Sequence, residues 1–483
     1  MENDTLYTCA RKWFDELCRI PRGSGNTEAV SGWLSRVGRE MGLFVIRDPA
    51  GNVYMRAAET PEKNPLLLQA HMDMVCEKDS GVKHDFSRDP IYTIEEDGFL
   101  KARGTTLGAD DGVGVAFALA ALENRAELKP IEALFTVDEE IGLIGASKFD
   151  MSVTKAKRMI NLDGGPENVA VVGAAGGERE TLTLGYDPMP AAGTPVFIEL
   201  DGLSGGHSGG AIDSGKKNAL RELGRVLCDI YSENPFSLIA IGGGMKANAI
   251  PRSARAVVSC FDADAVMSRV AELEAVIKGE FGHDDPDAAT FTLTSGKFKS
   301  AMRSDYGISG ELMMMSPRDT GRIISMLILA PNGVIRKDNG AVITSTNMGI
   351  CQQSVREGTV SFTFNSRSSV DSELDAVGMT LERLAHMLTM DIERTARYPG
   401  WRRDWDSKLQ RQYADAYQKT FGGEISFVEI HGGLEGGILK TKSPELDVIA
   451  TGPATHDVHT PREKLDLASY ERFCAVMTAL LKK

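Results

Sequence analysis

Five short segments of the chain carry acids or histidines at spacings that suit metal-assisted hydrolysis. His71-Met72-Asp73 follows the apolar run Leu66-Leu67-Leu68-Gln69-Ala70. Residues two apart on a strand share a face, so the Asp73 carboxylate can reach the His71 imidazole. A metal-ligating histidine usually gives its second ring N–H to such a partner, which fixes its tautomer. Asp110-Asp111 follows Leu107-Gly108-Ala109, and Glu139-Glu140 lies just beyond the apolar stretch 131–137. Asp163 follows Met159-Ile160-Asn161-Leu162, and His456 and His459 follow the stretch 448–451. Two histidines, two aspartates and a glutamate offer nitrogen and oxygen donors without a thiolate. Such a set suits zinc, manganese or cobalt, not copper(I) or an iron–sulfur cluster. Five ligands are too many for one catalytic zinc, but a bridging carboxylate lets them serve two ions.

Each segment has a bland reading by itself. Asp110 and Asp111 would cap a following helix. Glu139 and Glu140 would be a solvated loop, Asp163 before Gly164-Gly165-Pro166 a turn, and His459 before Thr460-Pro461 a surface residue. The joint occurrence decides, because open α/β sheets gather their ligands at the carboxyl ends of strands, where all five segments fall.

The elements that must position them read as follows. Helical spacing of Phe14, Leu17 and Ile20, then of Val30, Trp33, Leu34 and Val37, predicts two helices within 5–43, broken at Pro21-Arg22-Gly23-Ser24-Gly25. Strands are expected at 43–46, 53–57, 66–70, 131–137 and 159–162, with an Ala-rich helix at 113–122. A helix at 407–421, strands at 426–430 and 447–451 and a helix at 468–481 restore the pattern near the C-terminus. The expected fold class is α/β, a mostly parallel sheet with helices on both faces. Near Asp187-Pro188-Met189-Pro190 the composition becomes that of a linker, and beyond it the pattern changes. Elements at 196–200, 218–231, 254–259 and 263–278 have counterparts at 319–329, 340–351, 359–366 and 372–390, a pattern that suggests two similar α+β units. The reading is a catalytic domain of residues 1–186 and 402–483, interrupted by an inserted α+β lid/dimerisation domain at 187–401.

At 483 residues the chain exceeds one core, and its net charge of −14 argues against nucleic acid or an anionic membrane as partner. No window approaches 18 uninterrupted apolar residues, so no membrane span is expected. The charged stretch 1–22 contains no apolar segment, so no secretory signal is expected. Seven scattered cysteines without C-x-x-C pairs read as reduced thiols of a cytoplasmic protein.

The order His71-x-Asp73, Asp110, Glu139-Glu140, Asp163, His459 resembles the co-catalytic zinc metallopeptidase family that contains aminoacylase, peptidase T and carnosinase. The longer blocks 68–75, 102–110, 203–210 and 331–336 resemble its aminoacyl-histidine dipeptidase branch. The resemblance implies His71 and Asp163 on one metal, Glu140 and His459 on the other, and Asp110 bridging. It makes Asp73 the orienting partner of His71 and Glu139 the general base, with a metal-bridging hydroxide as nucleophile. It also implies a cis peptide after Asp110. Two divalent ions are expected as cofactors, zinc first, with manganese or cobalt as alternatives. Hydrolysis of unblocked dipeptides follows, of Xaa-His type including β-Ala-His. An aminopeptidase on tripeptides, an N-acyl amino acid deacylase or an inactive binding protein on the same scaffold are the alternatives.

The glycine-rich stretch 202–217 contains G-x-x-x-x-G-K but lacks the hydroxyl residue at 217 that would bind magnesium, so a nucleotide loop is not expected. The resemblance instead makes His207 a donor to the carbonyl oxygen as it becomes an oxyanion. It gives Asn248 and Arg367 contacts to substrate, Arg367 to the C-terminal carboxylate, for which a planar fork is suited. His431 and Glu435 fall where many relatives have a substrate-binding glycine-rich loop, and Glu435 could read a free α-amino group. Family dimers with a short insertion donate the His207 equivalent across the interface; the doubled length here permits action in cis. A homodimer through the inserted domain is compatible with either. His456 lies three residues before His459, and the following Thr-Pro favours His459 as ligand.

Overall fold

The apolar run at 66–70 forms the strand Leu66–His71, buried at every position, as is Ile131–Thr136 beside it. Strands without an exposed face belong in the middle of a sheet covered on both sides. In the computed structural model, which describes residues 5–58 and 64–483, these two strands pair in parallel. Residues 1–4, the start of the charged N-terminal stretch, lie outside the described residues.

The chain divides into two compact units, Met1–Ala174 with Tyr398–Lys483, and Ala175–Arg397. The first is built on an eight-stranded sheet. Its spatial order is Leu43–Arg47, Val53–Ala57, Ile131–Thr136, Leu66–His71, Arg158–Asn161, Asp447–Ala450, Val169–Ala174, Ser426–Ile430. Pairing is parallel from Ile131–Thr136 through Asp447–Ala450, antiparallel at the Leu43–Ala57 hairpin, which joins the sheet at its edge, and antiparallel again between Asp447–Ala450 and Val169–Ala174. Alternate side chains feed two cores on opposite faces. Leu66, Leu68, Ala133 and Phe135 pack with the helices Leu6–Leu17, Ala109–Glu123 and Leu467–Leu481, and the rings of Phe117 and Phe473 meet edge to face. Leu67, Leu134, Met159 and Val448 pack on the other face with Ile438 and Leu439 of the helix Glu435–Lys442. The doubly covered α/β sheet expected from the strand pattern is the one observed.

The second unit holds a nine-stranded sheet in which the paired strands run antiparallel. One half contributes Thr292–Lys297, Thr194–Asp201, Ala254–Cys260 and Phe236–Gly243 in spatial order. The other continues with Ala341–Ser354, Thr359–Ser368, Gly176–Gly185 and Asp391–Tyr398, and the ninth strand, Gly333–Asp338, pairs with Ala341–Ser354 off this path. The halves meet at the pair Gly243 and Cys351. Each follows the path strand, helix, strand, strand, helix, strand. The second half takes its first strand, Gly176–Gly185, from ahead of the first half, so the halves are not consecutive blocks of sequence. The helices Ala219–Glu233 and Pro317–Leu329 pack where Gly224 leaves room; a Cβ there would lie 2.5 Å from the Leu327 side chain. The Pro-rich stretch at 187–195 is accordingly a connection within this unit, because Gly176–Gly185 already belongs to its sheet. The unit begins at Ala175, ahead of the expected 187, and ends at Arg397, not 401.

Candidate metal centre

The carboxyl ends of the central strands of the first unit converge. His71 closes its strand with its side chain 1% exposed. Its Nε2 lies 3.1 Å from Asp110 Oδ1. His459 Nε2 lies 3.2 Å from Asp110 Oδ2 and 2.9 Å from Glu140 Oε1. Three donor groups overlap, His71 with Asp110 and Asp163, His71 with Glu139 and Glu140, and Asp110 with Glu140 and His459, each with its ligand atoms within 4.8 Å of one another. Asp110 thus presents one oxygen to each imidazole. The Asp110–Asp111 peptide is cis. His456 is exposed and sets its ring edge-on to Phe99 at 5.9 Å, so His459 is the one of the two that joins the donors.

The Asp73 carboxylate binds more than His71. Its Oδ2 accepts from the Ser24 hydroxyl at 2.8 Å and from the Glu140 amide at 3.4 Å, and its Oδ1 from the Glu139 amide at 3.1 Å. His71 Nδ1 lies 3.5 Å from Asp73 Oδ1 and 3.2 Å from the Asp73 carbonyl, so the expected carboxylate partner shares this ring nitrogen with backbone. Burial opposes charge on Asp73, but His71, Ser24 and the Glu139 amide outweigh it and hold the carboxyl below its usual range.

The charge balance tests whether cations fit. Burial and then the Asp110 carboxylate push Asp163 up to about 8. Burial likewise raises Glu139 well above the carboxylate range, with Asp163, Glu435 and Glu140 adding to it. Burial disfavours a charged His71, yet Asp110 and Asp73 keep its pKa well above the imidazole value. Hydrogen bonds to Asp110 and Glu140 carry His459 up to about 10. A donor set that draws protons onto both imidazoles and onto two of its acids is short of positive charge, and two divalent ions match that deficit in charge and in donor type. A cavity of about 470 Å³ opens beside Asp110 and Asp163, walled by Val113, Pro166, Pro453 and His456, in the size range of small-ligand sites.

Beneath the donors runs a buried polar chain of which only Glu435 was a candidate from the sequence. Gln69 Oε1 accepts from Asn161 Nδ2 at 2.6 Å, and Gln69 Nε2 donates to Thr136 Oγ1 at 3.1 Å and to Glu435 Oε2 at 2.5 Å. Glu435 is not on a glycine-rich loop. It opens the helix Glu435–Lys442, is 1% exposed, and its Oε1 has no hydrogen-bond partner. Burial raises its pKa to about 7. His431 lies on the loop ahead of that helix. Two further residues were missed. Glu463 accepts four backbone amides, Leu107 at 2.8 Å, Gly108 at 2.9 Å, Ala109 at 2.7 Å and Asp110 at 3.3 Å. The buried Arg22 donates to the carbonyls of Met72, Asp73 and Gly108. The usable signals were Gln69 and Thr136, polar residues inside fully buried, mostly apolar strands, and Glu463, four residues past His459.

In the second unit, His207 and Asn248 are exposed at the short ladder of Gly206–His207 with Ala249–Ile250. The Ser208 amide donates to the Asn248 carbonyl at 2.8 Å, and Asn347 holds the carbonyls of Ala247 and Ala249. Asn365 Oδ1 lies 3.5 Å from Ser208 Oγ, and Arg367 follows two residues along the same strand, 6% exposed. These three residues therefore occupy one region of their unit.

A parallel α/β sheet whose strand ends gather imidazoles and carboxylates around one shared aspartate has the arrangement of a metallohydrolase. The chain belongs to peptidase family M20/M25/M40, whose model matches residues 67–483. It is 34% identical over 481 residues to the cytosol non-specific dipeptidase of Escherichia coli K12, across 97% of this chain and 96% of that protein. It is similar to the crystal structure of aminoacylhistidine dipeptidase from Vibrio alginolyticus, with a TM-score of 0.84 and 32% identity over 98% of this chain and 96% of that one. The aminopeptidase PepT of Bacillus cereus shares the fold at a TM-score of 0.59 and 15% identity, over 99% of each chain. The family and fold class that the motifs implied are those found. Among the described residues, no helix is long and apolar enough to cross a membrane.

Proposed function

We propose that this chain is a cytoplasmic metallo-dipeptidase that hydrolyses unblocked dipeptides, Xaa-His substrates among them. The observation that carries the reading is the pair of Asp110 oxygens, each facing a different imidazole. His71 and Asp163 would hold one ion, Glu140 and His459 the other, and Asp110 both. Zinc fits the donors, as do manganese and cobalt. Two such ions, when bound, supply an acidified water and polarise the scissile carbonyl. Glu139 takes the proton of the attacking water and delivers it to the leaving amine. Asp73 aims His71 and, through their amides, Glu139 and Glu140. The partnerless Oε1 of Glu435 would receive the α-ammonium of the substrate, the group that separates a free dipeptide from an N-acylated one. His207 is assigned to the carbonyl oxygen, Arg367 to the terminal carboxylate and Asn248 to substrate contact, and self-association through the inserted unit accompanies this reading.

The test is Glu139→Gln with a substrate panel. The variant should bind the same number of zinc ions as the parent and lose hydrolysis of free dipeptides by at least about 100-fold, within the range of a general base. Residual activity near that of the parent would remove Glu139 from its role. A parent enzyme that prefers N-acetylated amino acids or tripeptides would overturn the dipeptidase assignment.

A further inference from the structure

We infer that Glu463 is a positioning residue for the bridging carboxylate, acting through the backbone of the turn that presents Asp110. The inference rests on the two-metal reading above. Both oxygens of Asp110 must be aimed at once, and a side chain on a free turn would not hold that aim. The turn is not free. Gly108 adopts a φ of +68°, and the amides of residues 107–110 point into one concavity. Concavities of successive N–H groups bind anions, and the anion here is the Glu463 carboxylate, with three bonds between 2.7 and 2.9 Å and a fourth at 3.3 Å. The other side of the turn is held by Arg22, which ties the Gly108 carbonyl to those of Met72 and Asp73, next to His71. A Cβ on Gly108 would come within 2.5 Å of the Arg22 guanidinium, so the turn is fitted closely on that face too.

Glu463 also lies on the turn that carries His459. Its own amide donates to the Thr460 carbonyl at 3.0 Å, closing the segment between them. One short turn therefore delivers a metal ligand to Asp110 Oδ2 and a brace to the backbone of Asp110. Glu463 touches neither substrate nor metal in this arrangement. Its effect reaches the reaction only by fixing where Asp110 points.

The experiment compares Glu463→Gln with Glu132→Gln. Glu132 is a fully buried acid near the N-terminal end of the strand Ile131–Thr136, away from the donors, bonded to Thr154 and the Lys155 amide. Glutamine at 463 keeps the shape but turns an NH₂ group toward amide donors. Zinc affinity is read by competition with a chromogenic chelator, and the ligand field by the visible absorption of the cobalt-loaded protein. Glu463→Gln should weaken zinc binding by about 10–100-fold, as loss of an outer partner of a ligand does. It should also alter the cobalt spectrum and lower kcat with little change in KM, whereas Glu132→Gln lowers thermal stability alone. Zinc affinity and spectrum within threefold of the parent, or a loss matched by Glu132→Gln, would overturn the inference. If Glu463→Gln does not fold, Glu463→Asp is judged by the same readouts; if neither folds, the role is structural and the inference fails. A parent protein that binds no zinc defeats the two-metal reading itself, whereas a parent with two ions and an unaffected Glu463→Gln defeats only this step.

Discussion

Removing the Asp73 carboxylate should cost more in turnover than in metal binding. Asp73→Ala deletes contacts at 2.8 Å to Ser24, 3.1 Å to the Glu139 amide and 3.4 Å to the Glu140 amide, together with the 3.5 Å approach to His71. The His71 ring keeps a partner, because its Nδ1 also lies 3.2 Å from the Asp73 carbonyl, which the substitution leaves in place. Besides the Ser24 bond, the bonds lost are those to the amides of Glu139 and Glu140, which fix the segment bearing the base. Loss of an outer partner of a metal site typically reduces affinity or activity by about 10–100-fold, or about 1.4–2.8 kcal/mol at about 1.4 kcal/mol per tenfold. Most of that should appear as a fall in kcat at saturating zinc, with zinc affinity reduced by about tenfold or less. Chelator competition gives the second quantity and steady-state kinetics on a dipeptide the first. A variant that loses zinc by more than about 100-fold, yet turns over normally once zinc is saturating, would refute the reasoning and make the carboxylate the dominant partner of His71.

Glu435→Gln retains an acceptor for Thr136 while removing the charge, so kcat/KM for free-amine dipeptides should fall at least about tenfold, roughly 1.4 kcal/mol, with no comparable fall on N-acetylated analogues; equal losses on both would refute amine recognition. In the second unit, burial raises Glu180 to about 8 from a reference of 4.5. The folded chain therefore keeps a proton that the unfolded chain releases between these values, and stability falls as pH rises through that window by up to about 1.4 kcal/mol per unit. Glu180→Gln should match the parent in thermal midpoint near pH 4.5 and exceed it near pH 8, a difference that differential scanning calorimetry at the two pH values will show or exclude.

Patterns with one dominant cause were legible in the sequence. Leu66 to Ala70 could be read as a buried strand because a short, mostly apolar run just ahead of a His-x-Asp fits one well, and the helices Leu6–Leu17 and Glu28–Glu40 because their apolar residues repeat at helical spacing. The donors could be read because histidines and acids cluster at strand ends. The strands Thr93–Glu96 and Phe99–Ala102 escaped notice because three of the first strand's four residues are polar and the hairpin pairs with Lys464–Asp466, which is distant in sequence. The burial of Glu435 and the bracing contacts of Glu463 were obscured for a related reason. A carboxylate near a glycine or proline reads as a loop residue until the chain folds back and buries it against amides or side chains more than 290 residues away. The place of Gly176–Gly185 was hidden too, since its partner, Thr359–Ser368, comes after the whole first half of its unit.

The buried polar chain explains why the donors can be held so closely by short strands. Gln69 and Asn161 are register partners in parallel strands, and each precedes a donor by two residues, His71 and Asp163. Thr136 is the register partner of His71 itself. Because side chains alternate along a strand, a slip of one residue would send Gln69, Asn161 or Thr136 to the opposite, apolar face and leave Glu435 without its donors. An unpaired buried polar group costs about 1–3 kcal/mol, so such a slip is penalised at several groups together, beyond the loss of apolar packing. The same bonds that satisfy Glu435 therefore fix the register of three strands, and through that register the positions at which His71 and Asp163 leave the sheet.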